Sequence, residues 1–264
     1  MLGLRKPVLV GTIFYAGQRL VRGGRLRFDR SRAEELIARQ QELAERTGLE
    51  CMLDVVLLSP REVAPYIDFV AEVTDAPFAA GAAREEVRAA VARYVAEVGL
   101  QERYLHSSLS LLSGNPGEEA RLLGELGIRS ALLLVHSDRE GERVRQAEAL
   151  VELASPHLPH LAVDLGMVSL GEAMRVLREG MEIRRLLGVE VGCAPSNATH
   201  LVRERVAAAC GSRGFTGFDA AIHGISAMYC DFLLYGPIEH APWIFPAVAG
   251  ALSLTRGRSR GFPF

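Results

Sequence analysis

A carboxylate set inside an apolar run must be paired or used, because an ionised group taken out of water without a partner is costly. Asp54 is such a group, flanked by Leu53 and Val55 within the run Cys51 to Leu58. Asp164 stands likewise at the end of Leu161-Ala162-Val163, where Leu165-Gly166 lets the backbone turn away. Further apolar runs end in hydrogen-bonding groups: His106-Ser107, His136-Ser137, Ser196-Asn197 and Tyr235-Gly236. Gathered in one place, these groups would accept and donate hydrogen bonds to a polar ligand and could move a proton. An ion pair with a loop arginine is the bland alternative for either aspartate. Asp75, before Ala76-Pro77, reads as a turn residue.

His106, His136 and His240 would hold a metal only if three strand ends converged on it, and satisfied structural histidines are the simpler expectation; no metal is assigned. Cys193 lies where an apolar run becomes loop and reads as a small buried residue rather than a nucleophile. No Gly-x-Ser-x-Gly segment signals seryl chemistry. Cys51, Cys193, Cys210 and Cys230 are far apart and form no Cys-x-x-Cys pair, so neither a disulfide framework nor a zinc ribbon is expected. A reducing, cytoplasmic setting follows.

These groups need a scaffold that brings strand ends together. Val8 to Tyr15 is a β-branched run, after which Asp29 or Ser31 caps a helical pattern with Ala33, Leu36, Ile37, Leu43 and Ala44 on one face. Cys51 to Leu58 is followed by Ser59-Pro60, a helix start. The alternation continues with Pro77 to Ala80 before Arg84 to Glu97, Tyr104 to Ser107 before Gly117 to Leu126, and Ser130 to His136 before Glu142 to Ala154. Leu161 to Asp164 then precedes Leu170 to Leu187, Val189 to Gly192 precedes Ala198 to Ala209, and Asp231 to Tyr235 precedes Ala241 to Leu252. Phe218 to Met228 reads as an additional helix before the last strand.

Short apolar strands without alternation suit a parallel sheet covered on both faces. Eight such β-then-α units predict an α/β fold of the (β/α)8 barrel class, one domain over 1–264, with its active site at the C-terminal ends of the strands. A doubly wound sheet would call for fewer strands and a Gly-x-Gly-x-x-Gly turn, which is absent. Composition agrees: 264 residues at 49% hydrophobic and 23% charged exclude disorder and allow a sizeable core. A net charge of −2 removes the electrostatic argument for nucleic acid. Lys6 is the only lysine, so no Schiff-base lysine lies elsewhere. With no signal-peptide pattern and no apolar run of about eighteen residues, the chain is expected to be neither secreted nor membrane-spanning.

Several segments together resemble a known family. They are Gly11-Thr12-Ile13-Phe14-Tyr15 with Gly17-Gln18, Leu53-Asp54-Val55-Val56, and Thr74-Asp75-Ala76-Pro77-Phe78. Later come Gly192-Cys193-Ala194-Pro195-Ser196-Asn197-Ala198 and Asp231 to Pro237 with Ala241-Pro242-Trp243. In order and over nearly the whole chain, they resemble the MtrH family, named for the MtrH component of tetrahydromethanopterin S-methyltransferase. That family includes bacterial relatives that move methyl groups between tetrahydrofolate and a corrinoid protein. The resemblance implies a pterin-binding barrel. It places Asn197 at the asparagine that faces the methyl-bearing N5, Asp54 at the acidic position of strand two, and Asp164 at the aspartate of strand six, with Leu165 in place of a proline. His106, Ser107 and Ser196 complete the implied pterin contacts.

The residue types suit the implied ligand. A pterin presents an amide-like, guanidine-like edge whose N–H groups carboxylates can accept, while an amide can donate to or accept from N5. A methyl on a neutral tertiary amine is a poor electrophile, so Asn197, with an ordered water, would stabilise charge developing at N5. Two positions depart from the family: Gly81 replaces an aspartate at the end of strand three, and His106 replaces the asparagine of an Asn-Ser pair. A lost carboxylate would cost about 1–3 kcal/mol in a dry site.

The implied activity is methyl exchange between N5 of tetrahydrofolate or tetrahydromethanopterin and the cobalt of a corrinoid. No Asp-x-His-x-x-Gly segment is present and eight units use nearly all 264 residues, so the corrinoid (cobalamin) is expected on a separate partner protein. Gly81 and His106 motivate the alternative, a non-catalytic or retuned member that binds a corrinoid-protein partner. A barrel enzyme for small phosphorylated substrates rests only on Gly236-Pro237. The resemblance also implies a homodimer, to which the apolar helix Trp243 to Leu254 could contribute.

Overall fold

The computed structural model describes residues 6–22 and 25–255. Eight parallel strands close a barrel: β1 (Val8–Ile13), β2 (Glu50–Val56), β3 (Phe78–Gly81), β4 (Tyr104–Leu109), β5 (Ser130–Leu134), β6 (His160–Asp164), β7 (Glu190–Cys193) and β8 (Phe232–Pro237). Each strand pairs with its neighbour in sequence, and β8 returns to β1. The chain is therefore a (β/α)8 barrel, as its alternation of short apolar runs and amphipathic segments predicts.

The helices α1 (Arg30–Thr47), α2 (Val63–Val73), α3 (Glu85–Glu97), α4 (Pro116–Glu125), α5 (Glu142–Ala154) and α6 (Ala173–Leu187) each follow one strand. Their apolar stripes are buried, as with Val63, Tyr66, Ile67, Phe69 and Val70 of α2. Local chemistry sets the ends: Pro116 occupies the first turn of α4 and the Asn115 side chain accepts from the Glu118 N–H at 3.3 Å.

Two stretches differ from the sequence reading. The expected helix Ala198 to Ala209 and the extra helix Phe218 to Met228 are instead α7 (Pro195–Leu201) and one long α8 (Arg203–Ser226), kinked at Gly211 where φ is 72° and ψ is 174°. Pro195 starts the first helix earlier than the apolar pattern does, and the kink lets two helical runs join without a loop. Between β1 and α1 a small antiparallel ribbon pairs Val21–Arg22 with Arg27–Phe28. Strands of two residues carry no period, so nothing in the sequence pattern announces them. The last helix is α9 (Ala241–Thr255). Its Ile244, Phe245, Val248 and Leu252 are buried within the chain, so its apolar surface serves the core first.

Contacts group the chain into two compact units. One takes the chain up to Gly11, Leu36–Cys51 and the chain from Leu165 onward; the other takes Thr12–Glu35 and Met52–Asp164. Among the described residues no helix is long and apolar enough to cross a membrane.

Candidate functional site

Register decides which side chains face the barrel interior. In the Thr12–Glu35 and Met52–Asp164 unit, parallel pairing aligns Asp54 with Ala79 and Leu105, and Val56 with Gly81, Ser107, Leu132 and Ala162. Paired residues point to the same side and alternate along each strand. His106, aligned with Ala80 and Val55, therefore points the opposite way from Asp54 and Ser107. Leu134 and Asp164 share the face of Asp54.

That alternation corrects the expected role of His106. Its ring is fully buried on the helix side, with Nε2 3.0 Å from Glu119 Oε1 and Nδ1 2.9 Å from the Tyr104 hydroxyl. Arg88 clamps the same carboxylate with Nε and Nη2 at 2.7 and 2.8 Å and reaches the carbonyls of Ala82 and Ala83. Burial pushes the Glu119 carboxyl up, but the bonds from Arg88 and His106 outweigh it and hold the group below its usual range. His106 thus belongs to a buried network between α3, α4 and β4, away from the interior face.

Gly81 is equally constrained. A Cβ there would run into the Ser107 carbonyl, so the position admits no side chain on this backbone. An aspartate could not be introduced here by substitution alone. Ser107 is half-buried and faces inward.

Asp54 is the best-defined candidate. The Thr12 hydroxyl donates to its Oδ2 at 3.1 Å, and both residues are half-buried. Burial pushes its carboxyl up to about 6; the Thr12 bond works against that shift, and the negative charge of Asp164 adds to it. Two carboxylates on one strand face can accept hydrogen bonds from a ligand edge rich in N–H groups. Sequence reasoning passes over Thr12, since a threonine in a β-branched run reads as an ordinary strand residue.

It also passes over a second feature. Arg25 forms a two-pronged ion pair with Glu62, Nε to Oε1 at 3.1 Å and Nη2 to Oε2 at 3.2 Å, and donates to the carbonyls of Phe14 and Val56 at the ends of β1 and β2. The Ser59 hydroxyl and the Leu58 N–H also donate to Glu62. The available signal is Ser59-Pro60-Arg61-Glu62, a capping-box spacing. Phe14 stacks on Tyr66 at 4.2 Å, with Phe28 and Phe69 beside them, so the ribbon segment is fastened at the rim.

In the other unit, β7 leads into α7. The Ser196 hydroxyl donates to the Leu234 carbonyl at 3.3 Å, and Gly236, at φ 80°, lies so close that a Cβ would meet Ser196 Cβ at 2.7 Å. Ser196 is therefore committed to holding the segment against β8. Asn197 is exposed, with its backbone N–H on the Ala194 carbonyl at 3.1 Å. Cys193 is buried with Sγ 3.6 Å from that of Cys230, an inert setting. His136 anchors its loop through Gln146, and His240 lies against Asp219. Among the described residues no three His, Cys, Asp or Glu side chains gather to hold a metal.

A family model described as tetrahydromethanopterin S-methyltransferase MtrH subunit matches residues 2–256. The chain belongs to the MtrH family. MtrH relatives include that of the tetrahydromethanopterin S-methyltransferase of Methanopyrus kandleri, 30% identical over 268 residues, with 92% of this chain and 83% of the relative covered. The MtrH of Methanothermobacter thermautotrophicus is 29% identical over 262 residues at the same coverage. Membership in MtrH places the chain among methyltransferases. The fold is shared with dihydropteroate synthase from Xanthomonas albilineans, at TM-score 0.64 and 16% identity over 97% of this chain and 96% of that one. A 4-hydroxy-tetrahydrodipicolinate synthase from Methylacidiphilum fumariolicum matches at TM-score 0.57 and 13% identity, over 96% and 74%.

Proposed function

We propose that this MtrH-family chain transfers a methyl group between N5 of tetrahydromethanopterin or tetrahydrofolate and the cobalt of a corrinoid carried by a separate protein. The observation that carries the reading is the Asp54 carboxyl, held near 6 by burial and by Asp164, and oriented by Thr12. Asp54 and Asp164 accept the N–H groups of the pterin edge, and Thr12 keeps the Asp54 oxygen in place. Ser107 lies on the same inward face and contributes a hydroxyl. Asn197, exposed at the start of α7, supplies the amide that stabilises charge at N5 as the methyl leaves or arrives. The corrinoid supplies cobalt as the methyl acceptor in one direction and the methyl donor in the other.

The reading includes a single barrel domain acting in the cytoplasm, and a homodimer. Near α9, Leu254 of that helix and Ile225 of α8 are exposed beside Gly224 and Met228. Light scattering at micromolar concentration tests the dimer, and a monomer would remove it. For the activity, protein mixed with a methylated pterin and cob(I)alamin is followed by the cobalt absorption spectrum. Conversion supports the reading. None with either carrier, even with a corrinoid protein from the same source, overturns the enzyme and leaves the docking-only alternative.

A further inference from the structure

Asp219 is fully buried in the middle of α8, where a carboxylate without donors would be costly. Side chains reach it from three other parts of its unit. Thr199 Oγ1 of α7 donates to Oδ1 at 2.7 Å, Trp243 Nε1 of α9 donates to Oδ2 at 2.9 Å, and His240 Nδ1, in the turn before α9, lies 3.2 Å from Oδ2. His223, one turn along α8, places Nδ1 2.8 Å from the Asp219 carbonyl and 3.4 Å from Oδ1. Burial raises the Asp219 carboxyl, and His223, His240 and Thr199 more than reverse this, holding it well below the usual carboxylate range. The methyl-transfer scheme makes no use of this carboxylate.

Buried polar groups of this kind add little stability over apolar residues of equal volume; what they fix is geometry. The geometry at stake is that of α7. This helix has seven residues and no side-chain cap at its N-terminus, too short to be stable alone. Two pins hold it: Ser196 to the Leu234 carbonyl and Thr199 to Asp219. They lie three residues apart and therefore on one helix face, whereas Asn197 between them projects away from that face and is exposed.

We propose that Asp219 is a positioning residue for Asn197, acting through Thr199 to fix the α7 segment on which the amide stands. The proposal rests on the pterin reading for the importance of Asn197, and its test separates the two. Thr199→Val keeps side-chain volume and removes only the donor, while Thr199→Ser keeps the donor. In hydrogen exchange, Thr199→Val is expected to speed the amides of residues 196–201 by about tenfold while the barrel strands keep wild-type rates. In the cobalt assay it is expected to lower kcat by about tenfold with the pterin KM within about threefold, and Thr199→Ser to restore both readouts to within about twofold.

Asp219→Asn, with Trp243 as the chain's single tryptophan, gives an independent check by fluorescence, since the indole donates to the same carboxylate. It should shift the emission and reproduce the kcat loss; wild-type emission and wild-type kcat would overturn the proposal. So would unchanged exchange in 196–201 of Thr199→Val, exchange that rises equally in every strand, or a raised KM at constant kcat. If the wild-type protein moves no methyl group at all, the pterin reading fails, and the exchange measurement alone decides whether Asp219 fixes α7.

Discussion

Asp54 shows how a site can work against the fold that carries it. Its carboxyl is raised to about 6 in the folded chain, above its ordinary value near 4, so the folded state binds the proton more tightly than the unfolded one. The stability tied to that proton is complete below the ordinary value and is lost as pH rises through about 6. Asp54→Asn removes the ionisation and should raise stability at pH 7.5 by about 1–2 kcal/mol, with no gain at pH 4. Urea titrations at the two pH values check this, and an equal gain at both would mean the carboxyl is unperturbed. On the proposed pterin reading, the same shift predicts that affinity falls as pH drops through about 6, because a protonated Asp54 no longer accepts two N–H groups. On the neighbouring strand, Gly81→Ala and Gly81→Asp should each destabilise by about 1–3 kcal/mol through the collision with the Ser107 carbonyl, and neither should tighten pterin binding. Calorimetric melting and a binding titration decide; tighter binding by Gly81→Asp would show that the two strands can part.

At the scale of elements, the ribbon segment between β1 and α1 depends on one pair. Glu62 is nearly fully buried and Arg25 is its charge partner, so Arg25→Ala leaves a carboxylate with only the Leu58 N–H and the Ser59 hydroxyl. The expected loss is about 3 kcal/mol in urea unfolding, and the double change Arg25→Met with Glu62→Leu should lose less than the single one. A double variant that loses at least as much as Arg25→Ala would make the pair a source of stability in its own right. This element also shows why some structure is legible in the sequence and some is not. The eight strands can be read because each is a short apolar run followed by a helical pattern. The facing of each side chain cannot. In a strand covered on both sides, Leu105 and Tyr104 are equally acceptable inward or outward, and only the register reveals that His106 faces Glu119 while Ser107 faces the interior. Asp54 stands out because a charge in an apolar run is conspicuous. Asp219 escapes notice because a lone acid in a long helical pattern looks solvated.

For the whole molecule, the proposed partner must approach the C-terminal ends of the strands, and the loops there carry exposed aliphatic residues. Leu58 follows β2 at 41% exposure, and Leu111 and Leu112 follow β4 at 43% and 64%. With a net charge of −2 there is little long-range attraction to steer a partner, so docking must draw on apolar burial and shape. Leu112→Asp places a charge on that surface without touching Asp54, Thr12 or Asn197. It should slow methyl transfer to a corrinoid protein by about tenfold while transfer to free cob(I)alamin stays within about twofold. Raising salt from about 0.05 to 0.5 M should change the wild-type rate with the corrinoid protein by less than about threefold. Equal slowing with both acceptors would place Leu112 in the pterin chemistry, and a steep salt dependence would mean that local charge, rather than the leucines, guides the approach.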